Sequence, residues 1–139
     1  MTTASKPLLP AVHYLHIPAE GEPFLQGLKC SKCSAIFIDE RKYCAKCGAR
    51  DALQPHKLAA HGKLVAFSVV HRSYPGIPVP FISAIVDLDG GGTLKGNLIN
   101  CDIKPPTLRA SMRVRLVYKQ APWGDDKGNQ YMIFYFEPA

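Results

Sequence analysis

The chain has 139 residues, enough for one domain with a small appendage but short for an enzyme carrying its own cofactor fold. A formal charge of +6 points to an acidic partner or ligand, but only moderately, and no run of 18 or more apolar residues offers a membrane span. Prolines interrupt the opening "MTTASKPLLPAVHYLHIP" where a secretory signal needs an unbroken apolar stretch, so the expectation is a soluble cytoplasmic protein.

In chain order, residues 1–18 read as an extended, proline-bearing arm whose Leu8, Leu9, Val12, Tyr14, Leu15 and Ile17 need burial. That burial is either on the chain's own domain or on a partner chain. Gly21–Gly27, "GEPFLQG", carries Pro23 early and a glycine in the stopping place, which predicts a short helix. The arm and helix together make up residues 1–27.

Residues 28–50 hold four of the five cysteines as two Cys-x-x-Cys pairs separated by ten residues. Two residues between cysteines let a tight turn aim both sulfurs at one metal, and two such turns supply four corners of a tetrahedron. Cys30, Cys33, Cys44 and Cys47 are therefore the candidate ligands of a structural Zn²⁺; iron in the same cage and an unmetallated thiol pair are the alternatives. The intervening residues predict a hairpin, Ile36–Ile38 going out and Tyr43 returning. Gly48 after Cys47 suits a left-handed turn, whereas Ser34 after Cys33 departs from that pattern. The ribbon carries six Lys/Arg against two acids, an excess of four that two net negative charges on a loaded Zn(Cys)₄ centre would halve.

After a linker at 51–60, residues 61–139 read as strands separated by turn signals. The five are "KLVAFSVVHRSY", "FISAIVDLD", "GTLKGNLIN", "RVRLVYKQ" and "YMIFYFEP". "DLDGGGTL" is a tight hairpin, "PWGDDKGNQ" a longer loop, and "IKPPTLRAS" has room for a single turn or short helix. Short strands with unequal loops predict a five-stranded OB-type barrel. The fold class is mainly β: arm and short helix, four-Cys zinc ribbon, OB-fold barrel.

That order of modules, with "HGKLVAFSVVHRSYPGIPVPFISAIVDLDGGGTLKGNL" opening the barrel, resembles the rubredoxin-like zinc-ribbon/OB-fold family long described as a domain of unknown function. The resemblance covers roughly residues 20–138, with Ser34 and the long arm as departures. It implies an acyl-CoA-associated, non-catalytic accessory subunit of a thiolase-like enzyme (an acyltransferase), an aldolase or a hydratase. Within that class it implies thiolysis of an aromatic 3-oxoacyl-CoA such as benzoylsuccinyl-CoA. A thiolase-like catalytic subunit would then be the partner in a hetero-oligomer, with the CoA thioester shared between the chains.

The residues themselves offer no catalytic constellation. Four cysteines are committed to metal, and Cys101 in "LINCDI" has no activating base beside it in sequence. Two further places bear on ligand or partner binding. His71 and Arg72 lead into a proline-stiffened loop with Tyr74, Pro75 and Ile77, which either lines an acyl pocket or interface or packs on the barrel. Arg113 and Arg115 share one face of their strand, as a solvated face or as forks for the phosphates of CoA. The competing function is a single-stranded nucleic-acid-binding module. It is disfavoured because the second and third barrel strands offer one aromatic, Phe81, and one base, Lys95.

Overall fold

Segments rich in β-branched and aromatic residues need neighbouring strands for their backbone groups and a second layer for their apolar face. The computed structural model describes residues 8–38, 40–103 and 108–139, and there these needs are met by strands alone. In chain order they are β1 (Leu9–Pro10), β2 (Leu15–His16), β3 (Phe24–Cys30), β4 (Ile36–Phe37), β5 (Leu53–Lys57), β6 (His61–Val70), β7 (Phe81–Leu88), β8 (Thr93–Leu98), β9 (Arg113–Gly124) and β10 (Gln130–Pro138). Among the described residues no helix is long and apolar enough to cross a membrane.

The last five strands close on themselves. β6 runs antiparallel to β7 and β7 to β8; β8 meets β10 in parallel at Leu98 and Phe136; β10 lies antiparallel along β9. β9 returns to β6 by pairing Arg113–Arg115 with Lys63–His61. The ring β6-β7-β8-β10-β9 is the expected OB-type barrel. Its interior follows the two-residue strand period: Ile82, Ala84, Val86 and Leu88 of β7 are buried, as are Leu64, Val114 and Phe136. Gly96 makes room for the aromatic part of this core, since a Cβ there would lie 2.7 Å from Phe134 and 3.0 Å from Phe136.

The β7–β8 connection is the predicted hairpin, with Gly90, Gly91 and Gly92 all at positive φ. β6 stops at Val70, so His71–Tyr74 belong to the loop that follows it. β9 runs on to Gly124, which shortens the predicted "PWGDDKGNQ" loop to Asp125–Asn129, clasped by Asp125 N–H donating to Asn129 O at 3.1 Å. Part of "IKPPTLRAS", residues 104–107, falls outside the described residues, and the rest of it forms no helix.

The second sheet is organised by β3, which pairs antiparallel with β2, β4 and β5. This corrects the predicted helix at Gly21–Gly27: Phe24–Gly27 is the first half of β3. Gly27 is not a helix stop. A Cβ there would collide with the Phe37 carbonyl, so glycine is what lets β4 cross so close. The predicted hairpin partner of Ile36–Phe37 is corrected as well, because β4 pairs back onto Leu28 and Lys29 of β3 while Tyr43 bridges only to Arg50.

The two sheets share one core. Leu15 of β2, Leu25 of β3 and Leu58 after β5 belong to the same buried cluster as the barrel's interior. The described part of the arm packs there too: Leu15 is buried, Val12 and Tyr14 lean on the cluster, and the Tyr14 ring lies 6.0 Å from that of Phe134. β1 adds in parallel to β10 through Leu9 and Pro10 opposite Tyr131 and Met132. The glycine turn completes the joint, with a Cβ on Gly91 falling 2.8 Å from Ile36 and one on Gly92 falling 3.4 Å from Ile36 and Ile38.

Candidate metal centre and adjoining cleft

Two turns of the same design carry the four thiols. In the first, Cys30 N–H donates to Ala35 O at 2.8 Å and Ser34 N–H to Cys30 O at 2.9 Å. In the second, Cys44 N–H donates to Ala49 O at 3.0 Å and Gly48 N–H to Cys44 O at 2.8 Å. The residue after each second cysteine is left-handed, Ser34 with φ 66° and Gly48 with φ 78°. Ser34 thus does the work of a glycine, at the steric cost that a Cβ carries in this region. The turns bring all four Sγ atoms within 4.8 Å of one another, with Cys30–Cys47 at 3.8 Å and Cys33–Cys44 at 3.4 Å. A tetrahedron with metal–sulfur bonds of about 2.3 Å has edges of about 3.8 Å, so this group can hold a metal ion.

The backbone prepares the sulfurs for ionisation. Lys32 N–H donates to Cys30 Sγ and Cys47 N–H to Cys44 Sγ, each at 3.4 Å. Amides donating to sulfur, that of Cys47 foremost, hold Cys44 down to about 6, and those of Cys33 and Lys32 hold Cys30 below the usual thiol range. Cys33 receives the Ala35 amide, but desolvation and the three neighbouring sulfurs outweigh it and push it up to about 12. Four thiols that cannot all ionise together without a cation are the donor set of a closed, four-sulfur site.

A cleft of about 440 Å³ opens on the barrel wall. Phe81, Leu98, Trp123, Ile133 and Tyr135 line it, joined by Ile77 and Pro78 of the β6–β7 loop and by the polar Asn97. Trp123 is half exposed and leans on Tyr131 at 5.3 Å. The volume falls within the range of small-molecule sites.

Comparison with known proteins fits these parts together. Residues 56–119 match the family model described as the ChsH2 C-terminal OB-fold domain. A DUF35 domain-containing scaffold protein of Methanocaldococcus jannaschii is 28% identical over 116 residues, 82% of this chain and 81% of that one. The chain is thus similar to DUF35 proteins along most of its length, with an OB-fold barrel and a four-cysteine ribbon in the same order. The benzoylsuccinyl-CoA thiolase subunit BbsA of Geobacter metallireducens is 31% identical over 75 residues, 53% of this chain and 50% of that one. Among solved structures, a chain of the Ltp2-ChsH2(DUF35) aldolase has 25% identity and a TM-score of 0.65, covering 83% of this chain and 84% of that one.

The other residues singled out from the sequence separate into two places. Ile77 lines the cleft, whereas His71, Arg72, Tyr74 and Pro75 are exposed on the loop beside it. Arg113 and Arg115 lie at the start of β9, outside the cleft lining, with Arg115 opposite Glu137, two residues along β10 from Tyr135 of the cleft. Both are engaged: Arg113 grips Asp89 with two hydrogen bonds of 2.8 and 2.6 Å, and Arg115 Nε donates to Glu137 at 2.7 Å. Cys101 donates to Asp102 O at 3.4 Å, and burial, reinforced by the Asp102 charge, raises its pKa, the opposite of activation. Sequence reasoning missed Trp123, Ile133 and Tyr135, whose convergence with Phe81 depends on barrel closure. The one signal was Trp123 itself, the chain's sole tryptophan, at the edge of a glycine-bearing loop.

Proposed function

We propose that this chain is a non-catalytic scaffold subunit of a thiolase-like acyl-CoA enzyme. In this reading Cys30, Cys33, Cys44 and Cys47 hold a structural Zn²⁺, and the chain helps to hold a CoA thioester shared with the catalytic partner. The single observation that carries the reading is the likeness to the DUF35 scaffold protein along four-fifths of both chains. The subunit BbsA and the aldolase chain, both named for acyl-transfer or carbon–carbon bond enzymes, support the kind of partner. The zinc fits the donor set, because four thiolates leave no open position for substrate and so fix the ribbon's shape instead. The thiol inventory agrees: four sulfurs face one another, and burial pushes the fifth, Cys101, above the usual thiol pKa. The apolar cleft suits an aromatic or branched acyl group, which narrows the candidates toward aromatic 3-oxoacyl-CoA thioesters such as benzoylsuccinyl-CoA.

Reconstitution tests it. The chain is co-purified from its host, the bound subunit is identified, and acyl-CoA turnover is measured for each protein alone and for the pair. The expected outcome is no turnover from this chain and activity from the pair that exceeds the partner's own. Full activity from the partner alone, or salt-sensitive binding of this chain to single-stranded nucleic acid with no protein partner, would overturn it.

A further inference from the structure

Resting on that reading, we infer that the β6–β7 hairpin is the surface that docks the catalytic subunit, and that the partner presents a carboxylate-rich face to it. Exposed apolar side chains are scattered singly on most proteins, but here they gather. Val65, Phe67, Tyr74, Ile77, Val79 and Ile85 are all exposed large hydrophobics of this hairpin, and Trp123 stands next to it across the cleft. The burial pattern of β6 shows why. Gly62 and Leu64 alternate inward with exposed neighbours, but Val65–Ser68 are exposed at four consecutive positions. The strand loses its second neighbour at that point: its pairing with β9 runs only from His61 to Lys63, and the ladder to β7 is irregular between Leu64 and Ala66. From Val65 on, β6 is an edge strand paired to β7 alone, while β7 stays in the wall beside β8, so an apolar edge is left uncovered unless something packs on it.

The charge distribution says what. Between Asp51 and Asp87 the sequence contains no Asp or Glu, while Lys57, Lys63 and Arg72 fall in that interval. Lys95 adds a cation, since β8 places it opposite Ile85. The nearest carboxylate on these strands, Asp87, sits beyond the apolar patch and accepts a hydrogen bond from Thr93 at 2.7 Å. Among the described residues neither Arg72 nor Lys95 forms an ion pair, in contrast to Arg113 and Arg115. A second copy of the chain would bring the same cations against these, so self-association is disfavoured. A partner surface with an apolar centre and an acidic rim is complementary in both respects.

The test uses the full chain and the catalytic subunit found by co-purification. Binding is measured for wild type, Phe67→Ser, Ile85→Ser and the charge reversal Arg72→Glu, with Leu9→Ser and Tyr43→Ser as exposed apolar controls elsewhere. Melting curves confirm that each variant is folded. Zero-length carbodiimide cross-linking of the wild-type complex then locates the carboxylates. The expected result is affinity lowered roughly tenfold or more by each hairpin change and little altered in the controls, with Lys63 or Lys95 joined to Asp or Glu of the partner. Hairpin variants that bind like wild type, or cross-links confined to the ribbon lysines, would overturn the inference while leaving the scaffold reading intact. A wild-type chain that binds no catalytic subunit would remove both.

Discussion

The ribbon and the barrel are held together by different means. The barrel buries Leu64, Val86, Val114 and Phe136 in a cluster that also takes in Leu15 and Leu25 from outside it. The ribbon's own cluster is Cys30, Cys44 and Ala52, two of the three being sulfurs aimed at the common centre. A segment this small cannot offset its chain entropy by apolar burial, so in the proposed reading what orders it is a metal held by the four thiols. The difference teaches where each region is vulnerable: the barrel to lost volume, the ribbon to lost charge balance.

The largest effect expected is on the ribbon. Structural zinc contributes on the order of 10 kcal/mol to small four-ligand sites, so Cys44→Ser should lower metal content from one equivalent to less than half and unfold residues 31–50. Elemental analysis and hydrogen exchange check this, with the barrel strands keeping their protection. Loss of protection throughout β6–β10 would break the comparison. Next comes the barrel: Phe136→Ala removes a fully buried ring that stands 5.9 Å from Phe134, and should cost about 3–5 kcal/mol in denaturant unfolding with metal content unchanged. Smallest is Ser34→Gly, which removes a Cβ from a left-handed position and should stabilise the metal-bound ribbon by about 1 kcal/mol, read as slower metal loss to a chelator.

Local chemistry was legible. Spacing alone placed four sulfurs in one group, and β-branched runs with glycine turns between them placed the barrel strands. What misled was a residue with two meanings. Pro23 and Gly27 stand where a short helix would have them, yet Gly27 is there because the Phe37 carbonyl passes where its Cβ would be, a contact between residues ten apart. Tyr43 misled in the same way, since the partner of β4 turned out to be β3, which precedes the first knuckle. The cleft was illegible for a related reason: Phe81, Trp123 and Tyr135 come from three strands and meet only because the ring closes. The loop residues drew notice for their chemistry, and only Ile77 of them has its side of the cleft.

β3 has a mechanical consequence. One strand of seven residues carries Leu25 in the barrel's core at one end and Cys30 in the four-thiol group at the other, braced along its length by β5. It acts as a girder, so the two modules cannot swivel as beads on a linker would. Any protein that grips both meets them at a fixed spacing and angle, and the orientational freedom normally surrendered when two tethered parts are clamped has already been given up during folding.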